Sequence, residues 1–165
     1  MLRRNPDMFR EMRRFKQQIT TEECIEVLKK GKRGVLSVLG DNDYPYGIPV
    51  DYLYDEESGN IYFHGAPAGH KIDAITRHDK VCFTIFDNEE FREGDWAAWV
   101  RSIVVFGRAT VIEDYDKRLA VVRRIGLKYY PTVAEVDEEM AVAAHRVAAI
   151  ELKPEHITGK LVHEK

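Results

Sequence analysis

Apolar residues along this chain recur mostly at a spacing of two, in short runs broken by turn chemistry, and at helical spacing in only a few places. Residues 33–39 form one short apolar run, and Gly40-Asp41-Asn42-Asp43 is a turn that leads as a hairpin into a second strand over residues 46–54. A further turn, Glu56-Glu57-Ser58-Gly59-Asn60, leads into a third strand at residues 61–64, which completes a meander. Ahead of it, Thr20 and Glu23 have capping-box spacing, Ile25 and Leu28 follow at helical spacing, and Gly31 can close that helix. Residues 71–77 read as a short helix with Ile72 and Ile75 inward, and residues 81–86 as a β-branched and aromatic strand.

The longest β-like segment runs over residues 99–112. Its alternate positions are apolar on both sides: Ile103, Val105, Ala109 and Val111 on one, Val100, Val104, Phe106 and Ile112 on the other. Such a strand needs a second cover from a helix, a barrel closure or a partner subunit. Residues 114–129 then read as a helix carrying Leu119, Val122 and Ile125, with Gly126 weakening its end, and residues 131–144 as a second, shorter helical piece. A last strand covers residues 146–152, and Pro154 is expected to end it. About six antiparallel strands with interspersed helices predict a mainly β, six-stranded Greek-key barrel with flanking helices. A doubly wound nucleotide fold needs a glycine fingerprint after an early strand, and none is present.

The 165 residues fit a single domain: an N-terminal extension over 1–18, the barrel with its helices over 19–153, and a C-terminal tail over 154–165. A net charge of −3 gives no basic footprint for nucleic acid. The basic run from Arg3 to Arg14 lacks the apolar core of a secretion signal, and nothing approaches a membrane span, so a cytoplasmic protein is expected. Cys24 and Cys82 suggest no disulfide framework, and Cys82 reads as a buried inert thiol. The six histidines show no metal-site spacing, so no metal is expected.

The richest chemistry lies in residues 62–73, Tyr-Phe-His-Gly-Ala-Pro-Ala-Gly-His-Lys-Ile-Asp, which reads as a strand, a small-residue loop and a first helical turn. Free N–H groups and the helix dipole favour an anion there; Gly69 admits close approach and Lys71 adds a full charge. The same residues also suit a plain strand–helix connection with an exposed lysine.

Across nearly its whole length the chain resembles the nitroimidazole-resistance (Nim-type) proteins of the pyridoxamine 5′-phosphate oxidase-like split-barrel flavoproteins. The pieces are the stretch from Met8 to Arg14, Gly34-Val35-Leu36-Ser37-Val38, Pro45 to Tyr52, Ile61 to Ala66, Gly69-His70-Lys71-Ile72-Asp73, Val104 to Ala109, and Ile157-Thr158-Gly159-Lys160, in order. The resemblance implies a homodimer with FMN in an interfacial cleft. By the same resemblance Gly69, His70 and Lys71 hold the FMN phosphate, Ile48, Pro49, Val50 and Asp51 lie along the isoalloxazine ring, and His64 and Gly65 sit beside it. Trp99 and Ser102 would reach a neighbouring subunit's flavin. The pyridoxamine phosphate oxidases carry an Arg where Ile48 stands and another where His70 stands. Losing both permanently charged donors argues against vitamin B6 phosphate as substrate, but not against FMN.

The function implied is an FMN-dependent oxidoreductase that reduces small electron-poor nitro-aromatics, with His64 as the catalytic proton source. The alternatives are a flavin carrier without turnover, a pyridoxamine-phosphate-oxidase-like oxidase, or a cleft for haem or a deazaflavin. Asp51 also reads as simple surface alternation, and the loop over residues 87–95 as a lid or dimer rim.

Overall fold

The computed structural model describes residues 9–163 except positions 88, 89, 92 and 95. The start of the basic run, Met8 of the first resembling stretch, and Asn88, Glu89, Arg92 and Asp95 of the acidic loop therefore lie outside the described residues. Six strands, β1 (Arg33–Leu39), β2 (Pro45–Tyr54), β3 (Ile61–Gly65), β4 (Lys80–Phe86), β5 (Trp99–Val111) and β6 (Ala148–His163), close into an antiparallel barrel. Its order is β1-β2-β3-β6-β5-β4, the Greek-key arrangement that the strand pattern predicts. Among the described residues four helices flank it: α1 (Thr21–Lys30), α2 (His70–Arg77), α3 (Tyr115–Tyr129) and α4 (Val133–Ala143).

The barrel interior is filled by alternate strand residues. Leu36, Tyr52, Phe63, Phe83, Ile103 and Leu152 are all fully buried. Phe83 lies edge-on to Tyr52 and Phe63, with ring centroids 4.9 and 5.1 Å away, a geometry favoured by the aromatic quadrupole. The capping box at Thr20 and Glu23 forms, with both reciprocal bonds. It starts α1, which sets Cys24, Val27 and Leu28 on the core, where the Leu28 carbonyl accepts the Tyr52 hydroxyl at 2.8 Å. Asp114 caps α3 and Thr132 caps α4. α3 lays Val121 and Ile125 over Tyr62 and Ala149, on the outer side of β3 and β6.

The C-terminal end of α3 decides how β2 is held. The β1–β2 pairing stops at Arg33 opposite Asp51. The next backbone groups of β2, the N–H and C=O of Tyr52, are met by Tyr129 and Lys128 of α3. The Tyr129 hydroxyl accepts the Tyr52 N–H at 2.8 Å and lies between the carbonyls of Tyr52 and Lys32, while Lys128 Nζ donates to the Gly31 and Tyr52 carbonyls at 2.6 and 2.9 Å.

One boundary is corrected. Pro154 does not end the last strand, and residues 154–163, expected as a tail, form the second half of β6 along β5. The pairing shifts between Phe106 opposite His156 and Gly107 opposite Pro154, so Glu155 is the extra residue of a bulge. A proline is tolerated at a bulge because the ladder is already interrupted there. The two-sided apolar pattern of β5 also has its explanation: Ile103, Val105 and Ala109 face the barrel, while Val104 and Phe106 face outward and Phe106 stays 39% exposed.

Candidate functional site

β2, β3 and α2 converge on an open cleft of about 320 Å³, lined by Arg33, Ile48, Pro49, Val50, Asp51, His64 and Lys71. Six of these seven are residues that the sequence singles out; Arg33 is not. β2 contributes its consecutive residues Ile48–Asp51 because its pleat sends Val50 and Ile48 toward the core and leaves Pro49 and Asp51 outward. β2 pairs Tyr52 with Phe63 of β3, so continuing the register by one residue sets Asp51 opposite His64. At the cleft mouth Arg33 Nε donates to Asp51 Oδ1 at 2.8 Å.

The loop after β3 gives the cleft its cationic end. Gly69 precedes α2 with φ 121°, a conformation that side-chain-bearing residues rarely adopt, and it provides no side-chain cap for the helix N–H groups. Lys71 in the first turn runs back over Gly65, where a Cβ would meet Nζ at 2.9 Å. Its ammonium is half-buried, and that desolvation pulls its pKa below the usual lysine value. Among the described residues no carboxylate pairs with it at ion-pair distance. His64 opens into the same cleft; desolvation in the concavity, and secondarily the Lys71 charge, lower its pKa against the opposing pull of Asp51. At neutral pH its imidazole is therefore the neutral form, with one N–H donor and one acceptor.

The remaining predicted site residues stand elsewhere. His70 stacks on Tyr46 with centroids 4.2 Å apart, and its Nε2 accepts the Asp41 N–H at 3.2 Å, so that nitrogen is committed to the β1–β2 turn. Arg77 at the other end of α2 reaches the same Asp41 at 2.8 Å, and the pair locks α2 onto the turn. Trp99 stacks on His163 at 3.8 Å, and Ser102 stands opposite Phe86 on the outer face of the barrel; neither lines the cleft of its own chain.

A second cavity, of about 280 Å³, adjoins the first and lies between α3 and α4. It shares Asp51 and His64 with the cleft, and its other walls come from side chains such as Ile125, Tyr129, Met140 and Ala143. No motif marks it in the sequence. The only signal is the apolar stripe of each helix, which reads equally well as ordinary packing.

This geometry can be set beside known proteins. In Streptomyces rimosus, 5a,11a-dehydrotetracycline/5a,11a-dehydrooxytetracycline reductase is 29% identical over 94 residues, which cover 56% of this chain and 63% of the reductase. The chain thus spans less than two thirds of that curated relative. A crystal structure of a candidate 5-nitroimidazole antibiotic resistance protein from Bacteroides thetaiotaomicron superposes with a TM-score of 0.73 at 18% identity, covering 88% of this chain and 87% of that one. A FAD-binding protein from Mesorhizobium loti gives 0.64 at 20% identity, with 88% and 96% covered. The flavocytochrome Anf3 from Azotobacter vinelandii gives 0.72 at 16%, with 96% and 77% covered. At these identities the structures speak for the fold alone. The profile of the pyridoxamine 5′-phosphate oxidase family matches residues 20–161, which takes in β1 to β5, nearly all of β6 and every wall of the cleft, and the chain belongs to that family.

Proposed function

We propose that this protein is an FMN-dependent oxidoreductase that reduces small electron-poor compounds, nitro-aromatics among them, as a homodimer with the flavin in the cleft. The observation that carries the reading is Lys71: a half-buried ammonium in an open cleft, beside an uncapped helix start and without a carboxylate partner among the described residues. A buried charge left without a counter-ion is costly. A site built this way is stabilised by an incoming anion, and a phosphate suits both Lys71 and the free N–H groups of α2. The residues fit the phosphate end of FMN, since nothing lies within 4 Å of the position a Cβ would take at Gly69. Absence of an arginine at Ile48 and His70 separates the site from one built for a phosphorylated vitamin B6 substrate.

Bound there, FMN supplies the two-electron chemistry. The chain's own contributions are binding and proton placement. Lys71 and the α2 N-terminus hold the phosphate, and the backbone of Ile48–Asp51 orients the ring edge. His64 holds a proton at the imidazole N–H beside the reacting region. The reductase name of the Streptomyces rimosus relative supports an oxidoreductase reading.

The deciding measurement is the visible spectrum of the purified protein, with chromatography of the released cofactor. Oxidised-flavin bands and about one FMN per chain are expected. Lys71→Ala should then weaken FMN binding by about tenfold or more, the loss of one charge-assisted contact worth ~1.5–3 kcal/mol. His64→Ala should keep FMN and lower nitro-aromatic turnover by about a hundredfold or more. A colourless protein that takes up no added FMN overturns the reading, a haem or deazaflavin spectrum replaces its cofactor, and turnover indifferent to His64→Ala leaves a flavin carrier.

A further inference from the structure

We infer that the cavity between α3 and α4 is the chamber that receives the reducible small molecule, and that it selects a one- or two-ring compound that is neutral or cationic and bears no phosphate or carboxylate. This rests on the cleft being the flavin site. The two hollows meet at one wall, formed by Asp51 and His64, which line both. A molecule in the α3–α4 cavity therefore lies against the histidine proposed to hold the proton, on the side away from the cationic end of the cleft.

The cavity is not a gap left by loose helix packing. α3 and α4 are in tight contact beside it: a Cβ on Gly126 would lie 3.1 Å from Val136 Cγ1, and Val136 is 2% exposed. Interiors seldom leave voids larger than a water molecule. Here a space of about 280 Å³, near the lower end of pockets that hold small molecules, opens next to a close-packed seam. Its Tyr129 wall is fixed, because the hydroxyl is committed to the backbone of Tyr52 and Lys32. That leaves the ring as apolar surface. Ile125, Met140 and Ala143 extend the apolar lining.

Charge sets the class of occupant. The cleft is lined by Arg33 and Lys71, with Asp51 paired to Arg33 at 2.8 Å, whereas the α3–α4 cavity is lined by the acids Asp51 and Glu139 and by no lysine or arginine. An anionic compound would desolvate its charge beside Glu139 and an Asp51 already paired with Arg33, with no lysine or arginine of that cavity to receive it, while a neutral or cationic ring would not. The two hollows thus sort by charge, with the anionic group going to Lys71 and the uncharged ring to the helices.

Three probes of matched shape test this: para-nitrobenzyl alcohol, para-nitrobenzylamine and para-nitrobenzoate, with binding followed by calorimetry or ligand-observed NMR on FMN-loaded and FMN-free protein. The alcohol and the amine should bind at least about tenfold more tightly than the carboxylate. Ala143→Phe, on the helix wall and outside the cleft, should weaken the alcohol at least about tenfold while FMN uptake is unchanged. Glu139→Lys, at an exposed position, should improve para-nitrobenzoate severalfold and weaken the amine. Equal affinity of all three probes, or ring binding untouched by both substitutions in a protein that takes up FMN, overturns the inference and leaves the flavin reading standing. Ala143-dependent binding of the alcohol to a protein that takes up no flavin would instead retain the ring site and remove the flavin reading.

Discussion

Two half-buried lysines show how surroundings assign a residue its role. Burial lowers the pKa of both Lys71 and Lys128, the latter to about 8. Lys128, however, has its donors occupied by the Gly31 and Tyr52 carbonyls, and its ammonium lies 4.2 Å from the Tyr52 ring centroid. It is part of the frame, and it fastens the C-terminal end of α3 to the strand that carries Asp51. Lys71 has no such partners among the described residues and points its charge into the cleft. Lys128→Met should therefore destabilise the fold by ~1–3 kcal/mol through the two carbonyls left short of a donor. Its pH dependence has a definite sign. In the folded chain Lys128 loses its proton near pH 8, whereas in the unfolded chain it does so at about 10.4. Between these values the unfolded state binds more protons, and this group's contribution to stability rises with pH. The deficit of Lys128→Met should thus widen from pH 7 to pH 9.5 in paired urea titrations; a constant deficit would show that Lys128 is not held with a lowered pKa. Above about pH 10 the Tyr52 and Tyr129 hydroxyls act in the opposite direction in both proteins. Burial raises both phenols, that of Tyr129 to about 12, so the unfolded chain releases their protons first and stability falls.

At the scale of elements, the seam between β5 and β6 is the longest in the barrel, and its bulge is the feature a linear reading misses. Gly107 lies opposite Pro154 at the register shift, and a Cβ there would collide with the Lys153 carbonyl oxygen and lie 2.9 Å from Leu152 Cδ1. Backbone on the facing strand cannot yield as a flexible side chain does, so Gly107→Ala should cost ~1–3 kcal/mol or more, read as a lowered denaturation midpoint. A midpoint unchanged from the parent would mean that the strands separate at the bulge without penalty. The proline rule that predicts a strand end at Pro154 assumes an unbroken ladder, and a bulge is set by the partner strand some fifty residues away. Local signals fared differently. Thr20 with Glu23, the Gly40–Asp43 turn and the β-branched and aromatic run of β4 specify their elements from neighbouring residues alone, and each stands where the pattern puts it. Of the six cleft residues, Lys71 is legible from the strand–loop–helix stretch itself, whereas Ile48–Asp51 and His64 follow from the family resemblance, which contiguous motifs on β2 and β3 carry. Arg33, the Tyr129–Lys128 fastening and the α3–α4 cavity are products of tertiary contact between distant segments. His70 illustrates the limit: its place at the start of α2 is plain from sequence, but its commitment to Asp41 depends on where the β1–β2 turn folds.

For the whole molecule, the outer face of the barrel bears on the proposed dimer. The register sets Val35 of β1, Thr84 of β4 and Val104 of β5 in one row across three strands, and Phe86 and Ser102 side by side one step along. On this face Val35 is 39% and Phe86 71% exposed, whereas the inward neighbours Phe83, Ile85 and Ile103 are fully buried. A sheet face with solvent-exposed phenylalanine and valine across adjacent strands is the kind of patch that a second subunit covers. The same face carries Ser102, one of the two residues expected to serve a neighbour's flavin, so assembly and cofactor affinity should be coupled. Phe86→Asp together with Val104→Asp places two charges on the patch without touching the cleft of the same chain. Sedimentation should show a dimer for the parent protein and a monomer for the double variant, since a stable interface of ~1,200–2,000 Å² does not tolerate two desolvated carboxylates at its centre. If the flavin is shared between subunits, FMN affinity of the double variant should fall in step with the dimer fraction and recover as protein concentration is raised, by simple mass action. A parent protein that is monomeric at all concentrations yet binds FMN tightly would place the whole site within one chain. In that case the exposed apolar face would need a different occupant.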